Sequence, residues 1–374
     1  MKPSRVVKNP YVDRDSVPPL DTSAAPFHAS LPGFVPTALR PAPEAAQRLG
    51  VRSVSVKDES MRVGMPAFKI LGASWATYRV LFDHFGKAPG AEPSLEELQA
   101  LVDEQGKDLT IVTATDGNHG RATARMAKML GLPCIVFVPH DMVASRIKAI
   151  ERNGATVNVC AGNYDEAVAS AAALADEHHV VISDTSWEGY QDCPQWVIDG
   201  YSTMLTEVID LIDAGRIPEP SVVVCQMGVG AFSAAVARAF AHRPARLLVA
   251  AEPTEAECLM ASIEAGGDVT TIDTGFTSMA GLSCGTPSPV AWPVNKAAYD
   301  VFVSCDDAHT EEATRILYED YIQAGESGAA GLAALLQQGQ ALGLREDDDV
   351  LIFLTEGITD PVNFARIVGE NPAW

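Results

Sequence analysis

Basic side chains are scarce in this sequence. Lysine and arginine total 27 against 49 aspartates and glutamates, a formal net charge of −22. Nucleic acid and anionic membrane surfaces are bound by clustered cations that neutralise phosphate, so neither is expected as a partner. No apolar run approaches the roughly 18 residues of a membrane-spanning helix. The opening stretch, MKPSRVVKNPYVDRDSVPP, lacks the apolar segment of a secretory leader. Cysteine is sparse as well: 7 residues, at 134, 160, 193, 225, 258, 284 and 305, with no CxxC pair and no Cys/His spacing suited to zinc. These read as buried thiols in a reducing compartment, and no metal site is expected. A soluble cytoplasmic protein is the expectation. No internal repeat is visible.

What the chain does have is apolar residues, 47% of 374. That is enough for a large core and too long a chain for one small one. Residues 1 to about 50 are proline-rich and weakly periodic, and read as an extended arm ending in a helix near 43–49. Residues 51–56 alternate as a strand. After the charged turn 57–60, a helix is predicted over 70–85. Residues 86–108 mix glycine, proline and acids into a solvated insertion, where Ser94 and Glu97 have the S-x-x-E spacing of a capping box. From 109 the pattern becomes regular. Strands at 110–114, 134–138, 156–159 and 180–183 alternate with helices at 121–130, 142–153 and 165–178. A second set of strands follows at 222–225, 247–251, 301–303 and 350–354, with long helical segments between. The acidic run 346–349 reads as a solvated turn. Strands that alternate with helices through short connections give parallel sheets with helical crossovers. The predicted architecture is α/β: two doubly wound open domains with a cleft between them.

The segment Pro66-Ala67-Phe68-Lys69-Ile70-Leu71 sets one lysine among apolar neighbours at a predicted helix start. Such a lysine is either an ordinary solvated side chain or an amine whose burial favours the uncharged nucleophile. The second kind can form a Schiff base with an aldehyde. Four predicted strand ends carry further polar residues, at the edge where open α/β sheets bind ligands. Thr115-Asp116-Gly117-Asn118-His119-Gly120 offers backbone N–H groups suited to a carboxylate, or is a plain capped turn. Asp184 opens DTSWEGY (184–190), as a ligand or as a helix cap, with Trp187 and Tyr190 as core in the plain reading. Gly228-Val229-Gly230-Ala231-Phe232 follows an all-apolar strand and reads as a phosphate cradle. With Glu252 further on, it also mimics the fingerprint of an NAD-binding dehydrogenase, although Ser233 stands where a third glycine belongs. Thr355, after the last predicted strand, either offers its hydroxyl to a ligand or caps the helix behind Pro361.

Taken together, FHASLPGFVPTAL (27–39), VKDES (56–60), AFKILGAS (67–74), TDGNHGRA (115–122), DTSWEGY (184–190), MGVGAFSAAV (227–236), MAGLSCGTPSP (279–289), GESGAAGL (325–332) and TEGITDP (355–361) cover nearly the whole chain. In this order they resemble the fold-type II pyridoxal 5′-phosphate (PLP) enzymes, the tryptophan synthase β-like family. The AFK and GNHG motifs are shared with serine and threonine dehydratases. The aspartate of TDGNHG, the DTSWEGY block and the TEGxTDP tail resemble the diaminopropionate ammonia-lyases. The chain departs from that pattern at Met65-Pro66, ahead of AFK, and at Leu354 and Ile358.

The resemblance implies a large PLP-binding domain of residues 1–75 and 190–374 and a small α/β domain of residues 76–189. It implies that Lys69 holds PLP as a Schiff base and that Asn118 bonds to the coenzyme's 3-hydroxyl. The backbone of Gly228, Val229, Gly230, Ala231 and Phe232 would bind the phosphate, and Thr355 would face the pyridine nitrogen. Thr115, Asp116, Gly117 and Asn118 would clamp the substrate carboxylate. Dehydratases carry serine or alanine where Asp116 stands. Its extra negative charge beside that clamp calls for a second ammonium group on the substrate. Asp116 would then be the acid/base at Cα, and Asp184 would position the amino groups. The implied reaction is α,β-elimination of ammonia from 2,3-diaminopropionate, giving pyruvate and a second ammonia after hydrolysis. Serine or threonine dehydration, and an NAD-dependent dehydrogenase, remain as alternatives. The family also implies a homodimer. Cys258 and Cys284 bracket an acidic, glycine-containing segment expected to cover the site, with the two thiols near each other. Glu252 is expected to belong to the scaffold at its edge.

Overall fold

The structure, a computed structural model, describes residues 2–115 and 117–370. Among the described residues the strands are β1 (Val6–Lys8), β2 (Leu39–Pro41), β3 (Ser53–Asp58), β4 (Thr110–Ala114), β5 (Cys134–Val138), β6 (Thr156–Val159), β7 (His179–Val181), β8 (Val222–Gln226), β9 (Leu247–Pro253), β10 (Val301–Cys305) and β11 (Asp349–Leu354). The chain divides into two compact units. One comprises Met1–Leu20, Pro36–Met61 and Met204–Trp374, the other Asp21–Val35 and Arg62–Thr203.

The first unit is built on a seven-stranded sheet in the order β1-β10-β9-β8-β11-β3-β2. Its five central strands are parallel. Parallel strands are covered on both faces and need side chains that can be buried on either one; every residue of β8, Val222-Val223-Val224-Cys225-Gln226, is buried. The helix Glu326–Leu342 packs under this sheet through Ala329, Ala330, Ala333 and Ala334, all fully buried. The proline-rich arm is more ordered than its sequence suggests. It supplies both antiparallel edges, β1 against β10 and β2 against β3. Three-residue strands are too short for alternation to register as a pattern.

The acidic run 346–349 is a solvated turn only in part: Glu346 and Asp347 form an exposed turn, as expected. Asp348 and Asp349 are buried. Asp348 accepts hydrogen bonds from Arg246 Nη2 at 2.5 Å and Ser221 Oγ at 2.7 Å, and Asp349 from Ser53 Oγ at 2.6 Å and Arg52 Nε at 2.9 Å. Those contacts hold both carboxyls below the usual range, against a burial effect that opposes them.

The second unit carries a four-stranded parallel sheet, β6-β5-β4-β7. Its helices end earlier than the apolar pattern does. The helix Tyr164–Ala173 stops short of His178, because the Asp176 carboxylate accepts N–H bonds from His178 and His179 at 2.8 Å and turns the chain into β7. The Ser94 cap is present, with Ser94 Oγ accepting from Glu97 N at 3.2 Å. Glu97 does not complete the box. It accepts instead from Tyr78 Oη at 2.5 Å and from Gly90 N at 2.9 Å, tying the insertion to the helix Lys69–His84.

The borders of the two units fall at other residues than 75/76 and 189/190: helix Lys69–His84, which spans the first, packs against helix Asp192–Gly200, which begins just past the second, and both lie in the second unit. Helix Lys69–His84 crosses helix Asp192–Gly200 with glycine on both sides. A Cβ on Gly72 would lie 2.5 Å from the Tyr201 ring, and one on Gly200 would lie 2.6 Å from Leu71 O and 2.8 Å from Gly72 Cα. Backbone atoms cannot rotate away as side chains do. Gly200→Ala is therefore expected to destabilise the protein by about 3 kcal/mol through overpacking, read as a lowered midpoint of urea denaturation.

Candidate active site

In the second unit, Lys69 is the first residue of the helix Lys69–His84. The turn before it is closed by reciprocal backbone bonds between Arg62 and Met65, at 2.8 and 2.9 Å, with Val63 and Gly64 at φ of 51° and 70°. Lys69 Nζ lies 2.8 Å from Asp184 Oδ2. It also sits 5.6 Å from the ring centroid of Phe68 and 6.0 Å from that of Tyr201, which places it over aromatic faces. The apolar setting foreseen from the sequence is present in those rings. The carboxylate opposite the amine was not foreseen as its partner, and an anion at this distance favours the cationic form.

Asp184 follows β7 and is buried. Burial works to raise its pKa, but the charge of Lys69 and the hydrogen bonds from Lys69 and Tyr164 outweigh it and hold the carboxyl well below the usual range. Tyr164 Oη donates to Asp184 Oδ1 at 3.2 Å. His119 Nε2 donates to Ile182 O at 3.0 Å. Its Nδ1 lies 3.8 Å from Asp184 Oδ2 and has no hydrogen-bond partner among the described residues. Burial lowers the His119 pKa, Asp184 raises it and Lys69 lowers it further, with the net effect downward. A neutral imidazole with the proton on Nε2 satisfies the carbonyl. His119 and Tyr164 were not singled out from the sequence. His119 lay inside a motif read for its glycines, and Tyr164 is an ordinary first residue of a helix; only the fold brings each to Asp184. Trp187 and Tyr190 stack at 4.1 Å, and Tyr190 Oη donates to Val181 O at 2.8 Å, so this pair shapes the turn after β7.

The loop after β4 is folded around Thr115. Its Oγ1 accepts from Gly117 N at 2.9 Å and Gly120 N at 3.0 Å. Two of the N–H groups expected to face a carboxylate are therefore already engaged by Thr115. Gly117 has φ of 150° and precedes the helix Asn118–Met129, which Asn118 opens. Asp116, between them, lies outside the described residues.

In the first unit, the glycine loop joins β8 to the helix Ala231–Phe240. Gly230 has φ of 97°, and a Cβ there would lie 2.6 Å from Asn295 Nδ2. That fully buried amide donates to Gly230 O at 2.9 Å and so holds the loop from behind. Val229 O accepts from Ser288 N at 2.8 Å. The loop thus turns carbonyls inward to the protein, which leaves its N–H groups and the helix N-terminus to face an anion. Gly228 is confined by both thiols of interest. Cys258 Sγ lies 3.8 Å from Gly228 O, and Cys284 Sγ is 3.1 Å from where a Gly228 Cβ would be. Neither is in a disulfide.

Glu252, the acid that a dinucleotide reading requires, is fully buried. It accepts from Leu259 N and Met260 N at 2.8 Å, at the start of the helix Cys258–Glu264. Burial pushes this carboxyl up to about 8 in spite of those bonds. Both its oxygens serve the scaffold, which leaves none for a ribose. Thr355 follows β11 and is buried; its Oγ1 lies 3.0 Å from Gln226 Nε2. The helix Pro361–Val368 is capped by Asp360, which accepts from Val362 N and Asn363 N at 3.1 and 3.2 Å, and not by Thr355. Among the described residues no group of three or more acidic, histidine or cysteine side chains could hold a metal ion.

Because the folded-state pKa of Asp184 is depressed, its contribution to stability is full above about pH 4, the unfolded value, and is lost as the pH falls through the folded one. In coenzyme-free protein, Asp184→Asn is expected to lower Tm most at neutral pH, with the gap to the parent narrowing in acid. Thermal unfolding across pH 3 to 8 checks this.

Residues 31–356 match the family described as pyridoxal-phosphate dependent enzyme. Diaminopropionate ammonia-lyase of Escherichia coli (strain K12) is 34% identical over 371 residues, which covers 93% of this chain and 90% of that protein. The crystal structure of the Escherichia coli diaminopropionate ammonia-lyase in complex with D-serine superposes with a TM-score of 0.88 at 31% identity, covering 98% of this chain and 97% of that one. The same lyase in complex with an aminoacrylate-PLP azomethine reaction intermediate gives a TM-score of 0.85 at 30% identity over the same shares. With the family model matched from residue 31 to residue 356 and a relative 34% identical over 93% of the chain, the chain belongs to the pyridoxal-phosphate dependent enzymes, in the family of the diaminopropionate ammonia-lyases.

Proposed function

We propose that this chain is a PLP-dependent ammonia-lyase that converts 2,3-diaminopropionate and water to pyruvate and two molecules of ammonia. The observation that carries the reading is Lys69 Nζ held 2.8 Å from the buried carboxylate of Asp184, above aromatic rings. Two features fit the coenzyme. Lys69 is an amine at a helix start with one fifth of its side chain accessible. The glycine loop presents backbone without Cβ atoms to the N-terminus of a ten-residue helix.

PLP supplies an aldehyde for the amine and a ring that takes up the electron pair released at Cα. The chain's own residues do the rest. Lys69 provides the amine. The backbone of Gly228, Val229, Gly230, Ala231 and Phe232 binds the phosphate, Asn118 meets the 3-hydroxyl, and Thr355 meets the pyridine nitrogen. Thr115, whose hydroxyl hydrogen is left to donate, and Asn118 hold the substrate carboxylate, and Asp116 moves the proton at Cα. Asp184 receives the ammonium groups of the substrate. Tyr164, donating to one of its oxygens, keeps that carboxylate oriented. A diamine offers Asp116 and Asp184 a cation that serine does not.

We assign the protein to the cytoplasm as a homodimer. Seven cysteines outside any disulfide support the first, and the family the second. Among the described residues no helix is long and apolar enough to cross a membrane. Sedimentation at twice the chain mass is the expected result.

Purified protein is expected to release pyruvate from 2,3-diaminopropionate faster than from serine. Lys69→Ala should abolish the reaction, and borohydride reduction followed by peptide mapping should place PLP on Lys69. Asp184→Asn should lower kcat/KM by about 10²–10³-fold, the scale of a lost acid/base or orienting carboxylate. Equal rates on serine would refute the substrate assignment, and a reduced adduct at any other lysine would refute the coenzyme assignment.

A further inference from the structure

Gln226 closes β8 with only 2% of its surface accessible. Its amide nitrogen lies 2.8 Å from Phe353 O, 3.1 Å from Ser327 O, 3.4 Å from Gly328 O and 3.0 Å from Thr355 Oγ1. Its amide oxygen has no hydrogen-bond partner among the described residues. Three of the four neighbours are carbonyls, which only accept. Turning the amide over would set its oxygen against all three, so the orientation is fixed.

An amide nitrogen has no lone pair to offer. The contact with Thr355 therefore has one sense: Gln226 donates and Thr355 Oγ1 accepts. Among the described residues Thr355 Oγ1 makes no other hydrogen bond. Its own hydrogen is left to be donated. A buried amide oxygen without a partner costs free energy that a leucine or methionine here would avoid. What the glutamine provides in return is its N–H groups.

We propose that Gln226 is a positioning residue that fixes the Thr355 hydroxyl as a hydrogen-bond donor toward the coenzyme's pyridine nitrogen. The inference rests on the coenzyme reading of Thr355 given above. A donor facing that nitrogen favours its unprotonated form. The direction of one hydroxyl, set from behind by one amide, thereby sets how strongly the ring draws electrons from the substrate.

The test uses apoprotein loaded with PLP labelled with ¹⁵N at the ring nitrogen. In the parent protein the ¹⁵N shift should be that of an unprotonated pyridine. Gln226→Glu turns an oxygen toward Thr355 and reverses the hydroxyl, so the shift should move toward the protonated range. Gln226→Leu leaves the hydroxyl unheld and should weaken PLP about 10-fold in equilibrium dialysis. Adding Thr355→Val to Gln226→Leu should weaken it little more, because the two residues act through one contact. A protonated ring in the parent, an unchanged shift in Gln226→Glu with PLP bound, or additive losses in the double variant would each overturn the proposal. Failure of the parent itself to take up PLP would overturn the coenzyme reading, and this inference with it.

Discussion

A charged carboxylate buried beside a lysine is the constraint on which the second unit is arranged. Asp184 is taken from water after β7 and stays ionised because Lys69 and Tyr164 offset its desolvation. An unpaired charge in that position would cost several kcal/mol. The pair is also the reason a lysine can wait in an aromatic setting without being driven to the surface. In the proposed reaction a substrate ammonium reaching Asp184 would compete for the oxygen that Lys69 occupies.

The other functional loops share a device. Each is held by a side chain that hydrogen-bonds backbone from within the protein. Thr115 gathers the N–H groups of Gly117 and Gly120. Asn295 holds Gly230 O. Gln226 spans the carbonyls of Ser327 and Phe353. Loops held in this way need not be closed by a ligand before they have a shape. That preorganisation lowers the entropy to be lost when a small molecule binds.

The large pattern of the fold was legible in the sequence because buried parallel strands must be apolar along their length. β8 and β11 announce themselves in Val222-Val223-Val224 and Leu351-Ile352-Phe353. The glycines and Lys69 were legible through motifs that a tight backbone approach requires. What was not legible depends on partners far away in sequence. Asp348 and Asp349 resemble a solvated turn until Arg246, Ser221 and Arg52 are brought beside them. Glu97 has the spacing of a capping residue, yet Tyr78 and Gly90 offer better donors. Glu252 has the spacing of a ribose ligand, but it was expected in the scaffold, where Leu259 N and Met260 N hold it. His119, Tyr164, Asn295 and Gln226 are polar residues whose roles appear only once the strands are in register.

The crossing of Gly72 and Gly200 bears on how Lys69 and Asp184 keep their spacing. Main chain touches main chain there, with no side chain between to flex. One helix begins at Lys69, and the other descends from the segment that Asp184 opens. A tilt imposed on either is passed to the other without slack. The helix that begins at the amine is thereby packed at closest approach against the helix that follows the segment carrying its counter-ion.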